Sequence, residues 1–184
     1  MPILHGGTKL LDPKPILERL GLSHGQHVGD LGAGGMGYFA FPAAAMVGAT
    51  GKVFAVDVQK SVLTALQNMV RLQGVNNIEC VWSNLEKQGA TPIPDATLDA
   101  AFLINVLFQN KTWVGIVKEA VRLLKPKGKL LIVEWKGTGA PFAPPPNMRI
   151  AREAIEDISH GMGLTPLDRF DAGAYHYGII FEKK

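Results

Sequence analysis

Short apolar runs with strand character alternate with longer runs at helical spacing almost without exception along this chain. A chain built that way buries its apolar surface most readily as an α/β sheet with helices on both faces. Pro15–Leu20 reads as a short helix, with Asp12 as N-cap ahead of Pro13 and Gly21 as its stop. Strands are predicted at Gln26–Leu31, Lys52–Asp57, Asn77–Trp82, Leu98–Val106 and Lys129–Trp135. Helices are predicted between them at Met36–Val47, from a Ser61 cap to Gln73, and at Thr112–Leu124. The βα spacing makes these five strands parallel, because crossovers of that length carry a helix. After Trp135 the rhythm changes. The stretch GTGAPFAPPP (137–146) excludes helix and central strand. A helix over Met148–Met162 follows, then strands at Leu167–Asp171 and Tyr175–Phe181 whose three-residue connection permits only an antiparallel pair.

Length and composition narrow the function classes. With 184 residues and 47% hydrophobic content, the expectation is one domain spanning 1–184 with a real core. Cys80 is the single cysteine, which excludes an intramolecular disulfide framework or a Cys-rich zinc site and suggests a reducing, cytoplasmic setting. The first fifteen residues, MPILHGGTKLLDPKP, lack a basic-then-apolar leader pattern, and no apolar stretch approaches the ~18–20 residues a membrane span needs, so a soluble chain without membrane association is expected. A net charge of +3 is too mild for a nucleic-acid footprint, and its densest basic stretch, Lys125, Lys127 and Lys129, reads as a solvated turn.

The chemically informative segment is Val28-Gly-Asp-Leu-Gly-Ala-Gly-Gly-Met-Gly37, between the first strand and its helix. Gly32, Gly34 and Gly37 satisfy G-x-G-x-x-G, and Asp57 falls at the end of the next strand. Glycines there let the backbone turn tightly and approach a ligand, while the carboxylate accepts both hydroxyls of a ribose. Asp30, two residues before the first glycine, argues about which nucleoside cofactor binds. A fixed negative charge repels a pyrophosphate but suits a ligand carrying positive charge, such as the sulfonium and α-ammonium groups of S-adenosylmethionine.

With these residues the sequence resembles the small-molecule class I S-adenosylmethionine-dependent methyltransferases, including the ubiquinone and menaquinone C-methyltransferases, across roughly residues 12 to 182. VGDLGAGGMG resembles their first motif, with one extra residue before the last glycine. VFAVDVQ resembles their second-strand segment, which implies Asp57 as ribose carboxylate and Val58 beside the adenine. WSNLEKQGATPIPDATLDAAFLINVLFQ places Asn84 where relatives carry the Asp that contacts adenine, with Leu85 packing on the ring. RLLKPKGKLLIVEW resembles their helix-turn-strand unit and HYGIIFEK their reversed seventh strand. The resemblance implies a Rossmann-like, mostly parallel seven-stranded sheet with an antiparallel last strand, S-adenosylmethionine as cofactor and S-adenosylhomocysteine as product.

Methyl transfer needs alignment more than a universal catalytic residue. Three positions are candidates for contact with the acceptor. Asn105 is a polar residue inside an apolar run at the fourth strand's end, where the resemblance puts the sulfonium; Glu134, followed by Trp135, ends the fifth strand and is expected to face the site; His176, on a late strand, has the chemistry of a general base. No metal-ligand spacing, Ser/His/Asp elbow or phosphate-binding loop is present. Residues 1–12 are read as a flexible or cofactor-covering segment and 137–146 as a wall of the acceptor pocket. No insertion long enough for macromolecular recognition is evident, so a small-molecule acceptor is expected. The alternatives are an RNA or protein methyltransferase that borrows recognition from a partner, an NAD-binding oxidoreductase, and a non-catalytic nucleoside-binding module.

Overall fold

The computed structural model describes residues 10–137, 140 and 143–184. Its first helix, α1 (Pro13–Leu20), starts and stops where the side chains dictate. The Asp12 carboxylate accepts the Lys14 N–H at 3.1 Å, and Gly21, at φ 73°, donates to the carbonyls of Leu17 and Glu18. Next come β1 (His27–Leu31), α2 (Ala40–Val47), β2 (Lys52–Asp57), α3 (Lys60–Leu72), β3 (Ile78–Trp82) and β4 (Leu98–Ile104). Beyond these lie α4 (Trp113–Leu123), β5 (Leu124–Trp135), α5 (Arg152–Gly161), β6 (Leu164–Asp171) and β7 (His176–Lys183).

One seven-stranded sheet results, in the order β3-β2-β1-β4-β5-β7-β6. The pairs from β3 to β5 are parallel, and β7 runs antiparallel to both neighbours, as expected. Its faces are covered by different helices. Helices α1 and α2, with Leu66 of α3, pack on Val28, Val53, Ala55, Phe102, Leu131 and Val133. On the other face, Ile116, Val117 and Leu123 of α4 and Ile155 of α5 pack on Leu31, Val56, Leu103 and Ile132. Strands covered on both sides have no solvent face to keep polar, which is why they read as continuous apolar runs. Full burial of each such side chain is worth ~1.5–3 kcal/mol. From β1 the chain winds outward through β2 to β3, whereas β4 and β5 lie on the other side of β1. The β1/β4 boundary is therefore the topological switch point, and ligands of open α/β sheets bind beyond the carboxyl ends of the strands there.

Several boundaries differ from expectation for identifiable reasons. Helix α2 begins at Ala40 and not at Met36, because Gly32, Gly34 and Gly37 all have left-handed φ (97°, 66° and 59°) and hold the turn open. Ser61 does not cap α3. The helix starts two residues earlier than that cap implies, at Lys60 after Gln59, with the Gln59 N–H bound to the Asp57 carboxylate at 2.9 Å. Strand β5 already starts at Leu124, which pairs with Leu98, and residues 125–128 form an irregularity before Lys129 pairs with Ala100. Pro126 is tolerated in that bulged stretch, outside the regular ladder. The last helix starts at Arg152, because a short 3-10 turn over Pro146–Met148 and an extended segment precede it. Residues 1–9 of the expected covering segment, and 138, 139, 141 and 142 of the expected pocket wall, lie outside the described residues. Among the described residues, no helix is long and apolar enough to cross a membrane.

Candidate active site

The glycine turn is tied down before any ligand is considered. Gly32 and Ala33 donate their N–H groups to the Val56 carbonyl at 2.8 and 3.0 Å, locking the turn to the end of β2. Gly34 N–H reaches one Asp57 oxygen at 3.2 Å, while the other accepts from Gln59. Both oxygens of Asp57 are thus oriented at the rim by backbone donors. The glycines do different jobs. A Cβ on Gly32 would collide with Val106, and one on Gly37 would lie 2.6 Å from Leu66 and 2.9 Å from Phe41, so both permit close packing. A Cβ on Gly34 would meet nothing within 4 Å, which leaves its backbone open to an approaching molecule.

Beside this turn, at the switch point, lies a cavity of about 280 Å³. Gly32, Asp57, Val58, Asn84, Leu85 and Asn105 line it, which brings six of the sequence-predicted residues together from four strand ends. Asp30, Gly34 and Gly37 are not among the lining residues; Gly37 packs against α3 and the start of α2. Asn84 accepts the Glu86 N–H on Oδ1 at 3.0 Å, so its Nδ2 and the second lone pair of Oδ1 remain for a ligand. Gln109 and Asn110 also line the cavity and escaped the sequence reading. Their side-chain amides donate to the Asn105 and Val106 carbonyls at 2.6 and 2.8 Å, winding the turn after β4. The spacing of four residues between each donor and its acceptor was the available signal.

Asp30 sits beneath the turn, 3% exposed, with its Oδ2 lacking a protein partner among the described residues. Burial, helped by the nearby Asp57 charge and opposed by the Ala40 N–H, pushes its pKa up to about 8. A second buried arrangement, also missed from sequence, holds the Asn84 loop. Glu119 of α4 accepts from Gly89 N–H (2.7 Å), Thr91 N–H (3.0 Å) and the Arg122 guanidinium. That guanidinium donates in turn to the carbonyls of Thr91 and Ile93, and Thr91 pairs with Ser83 in the cavity wall. Burial alone would raise the Glu119 pKa, but these donors outweigh it and hold it at about 2.

The three acceptor-side candidates occupy different settings. Asn105 lines the cavity at a left-handed φ of 57°. Its Nδ2 lies 3.1 Å from His176 Nε2, across the end of β5. His176 is fully enclosed and packs against Trp135, with ring centroids 4.1 Å apart and planes tilted by 42°; burial, with the Lys136 charge adding to it, pushes its pKa down to about 4. Glu134 does not line the cavity. It is fully buried on the face opposite Trp135 and His176, where it accepts the Leu107 N–H at 2.6 Å and the Phe108 N–H at 3.4 Å, and burial raises its pKa to about 7. Its position places it under the turn after β4, because alternate residues of a strand point to opposite faces.

Comparison with known proteins agrees with this geometry. Residues 29–132, more than half the chain, match the family described as "Methyltransferase domain". The ubiquinone/menaquinone biosynthesis C-methyltransferase UbiE of Escherichia fergusonii is 38% identical over 120 residues, covering 62% of this chain and 45% of that protein. The chain thus spans less than half the length of the curated relatives it matches. A SAM-dependent methyltransferase from Aquifex aeolicus superposes with a TM-score of 0.87 at 28% identity, over 96% of this chain and 92% of that one. An arsenic(III) S-adenosylmethionine methyltransferase from Chlamydomonas reinhardtii shares the fold, with a TM-score of 0.69 at 20% identity over 88% of this chain and 64% of the other. The glycine turn closed on β2, the carboxylate at that strand's end and the reversed β7 are thereby accounted for together: the chain belongs to the methyltransferase-domain family, and within it to the class I S-adenosylmethionine-dependent methyltransferases.

Proposed function

We propose that this chain, acting as a single domain, transfers the methyl group of S-adenosylmethionine in line to a small-molecule acceptor. The observation that carries the reading is the switch-point cavity beside the glycine turn, whose rim carboxylate, Asp57, is oriented by backbone donors. These residues fit the cofactor. Asp57 at the rim would take the ribose hydroxyls, Gly34 offers open backbone, and Val58, Asn84 and Leu85 in the cavity lining would receive the adenine. The unpartnered Asp30 oxygen calls for a donor or a positive charge, which the α-ammonium group provides and a pyrophosphate does not. When bound, the cofactor supplies an already activated sulfonium methyl. The protein's share is alignment and exclusion of water, and Asn105 at the end of β4 is the polar side chain nearest that task. The relatives named as ubiquinone/menaquinone biosynthesis C-methyltransferases support a small acceptor over a macromolecule. A single thiol, Cys80, is consistent with a cytoplasmic setting.

Thermal-shift titration separates the readings. S-adenosylhomocysteine raises Tm and NAD leaves it unchanged, and Asp57→Ala weakens S-adenosylhomocysteine at least about tenfold through loss of charge-assisted hydrogen bonds. Stabilisation by NAD alone would overturn the proposal. Transfer of labelled methyl to RNA or protein and to no small molecule would replace the acceptor class.

A further inference from the structure

Resting on that reading of the cavity, we infer that His176 is a positioning residue, and that its neutral imidazole turns the Asn105 amide so that Oδ1 presents a hydrogen-bond acceptor to the positively charged reacting centre of the cofactor. An amide nitrogen only donates. With the Asn105 amide so oriented, the 3.1 Å contact between Nδ2 and His176 Nε2 makes Nε2 the acceptor and leaves the ring proton on Nδ1, which is buried with no partner among the described residues. The ring cannot turn to exchange these roles, because it is fully enclosed, packs against Trp135 with centroids 4.1 Å apart and is carried by a strand paired on both edges. A general base needs an accessible lone pair, and the Nε2 lone pair is already engaged by Asn105.

The consequence falls on Asn105. Its backbone is fixed by the N–H bond to the Val133 carbonyl at 2.8 Å and by the Gln109 amide on its own carbonyl, at a φ of 57°. With Nδ2 held by His176, Oδ1 is the remaining polar atom of that side chain, and it is buried with no partner among the described residues. A buried acceptor without a donor is costly to retain, and one in the wall of a ligand cavity is accounted for when the ligand completes it. An oxygen carries partial negative charge, so it favours a cationic centre over a neutral one. If the amide were reversed, its –NH₂ would oppose the same centre.

Two probes that differ at the reacting position read this out without methyl transfer. S-adenosylhomocysteine carries a neutral thioether there, and sinefungin carries an amine-bearing carbon that is cationic at neutral pH. The wild-type chain is expected to bind sinefungin about tenfold more tightly than S-adenosylhomocysteine by isothermal titration calorimetry. His176→Leu is expected to bring that ratio near unity while S-adenosylhomocysteine binds within about twofold of wild type. His176→Gln, which restores an acceptor, keeps the preference within about threefold. A preference retained in His176→Leu would overturn the inference. Should the leucine variant fail to fold, nitrogen-15 NMR of the wild-type histidines decides: His176 as the neutral Nδ1–H tautomer at neutral pH supports the inference, and an Nε2–H tautomer or an imidazolium overturns it. The NMR measurement needs no ligand, so its failure is distinguishable from failure of the cofactor reading, which would appear as wild-type protein binding neither probe and would overturn this inference as well.

Discussion

Asp30 occupies a place that burial statistics give to an apolar residue. Folded, it keeps its proton to about pH 8, whereas unfolded it releases it near 3.8. The unfolded chain therefore binds fewer protons than the folded one between those values, and stability falls as pH rises through that window. Asp30→Asn removes the fall. Without ligand, its Tm is expected to exceed that of wild type by a margin that widens from pH 4 to 8, while its S-adenosylhomocysteine affinity drops about tenfold. Equal pH slopes for the two proteins would refute the assignment. The motif around Asp30 was readable because its glycines and carboxylates are close in sequence. The separate roles of Gly34, open to a ligand, and Gly37, packed on Leu66, depend on which neighbour stands opposite each Cα.

At the scale of elements, α4 does more than cover the sheet. Glu119 and Arg122, one turn apart, grip the segment that follows the cavity-lining residues Asn84 and Leu85. Glu119→Gln keeps the shape but leaves the part-buried Arg122 guanidinium with Asp95 as its one carboxylate partner, and is expected to cost about 2 kcal/mol at pH 7, read as a lower urea midpoint at unchanged slope. The Glu119 pKa is depressed, so its stabilisation is present above about pH 4.5 and is lost as pH falls toward about 2. The variant should lack that acid dependence. Nothing local revealed this clamp, since Glu119 and Thr91 lie 28 residues apart and meet only once α4 docks. By contrast, β2 matched its predicted bounds, because Lys52–Asp57 is a buried parallel strand between turn residues. Helix α1 ended where Gly21 said it would, because its caps are neighbours in sequence.

For the whole molecule, four buried titrations combine. As pH rises, Asp30 withdraws stability between 3.8 and about 8 and Glu134 between 4.5 and about 7, because both hold protons that the unfolded chain releases. His176 works in the opposite sense: its stabilisation is present above 6.5 and is lost as pH falls toward about 4, since the folded ring resists a proton that the unfolded ring takes up. Glu119 behaves likewise at lower pH. Between about 4.5 and 6.5 two groups withdraw stability and one adds it, so these shifts place the ligand-free stability maximum on the acid side of pH 5. Saturating S-adenosylhomocysteine, by setting an ammonium near Asp30, should flatten the slope from pH 5 to 8. Thermal unfolding across pH with and without the ligand checks this, and identical slopes would contradict it.

The sequence by itself determined the α/β class, the parallel order of the first five strands, the reversed final pair and the glycine turn with Asp57 at the neighbouring strand end. All of these follow from periodicity, connection length and residues within one βα unit. Only the tertiary structure decided that Glu134 braces the turn after β4, that His176 addresses Asn105 across β5, and that α4 holds the loop after Asn84 and Leu85. Each of those depends on which strands become neighbours and which face a side chain leaves from, and these are set when distant segments pack together.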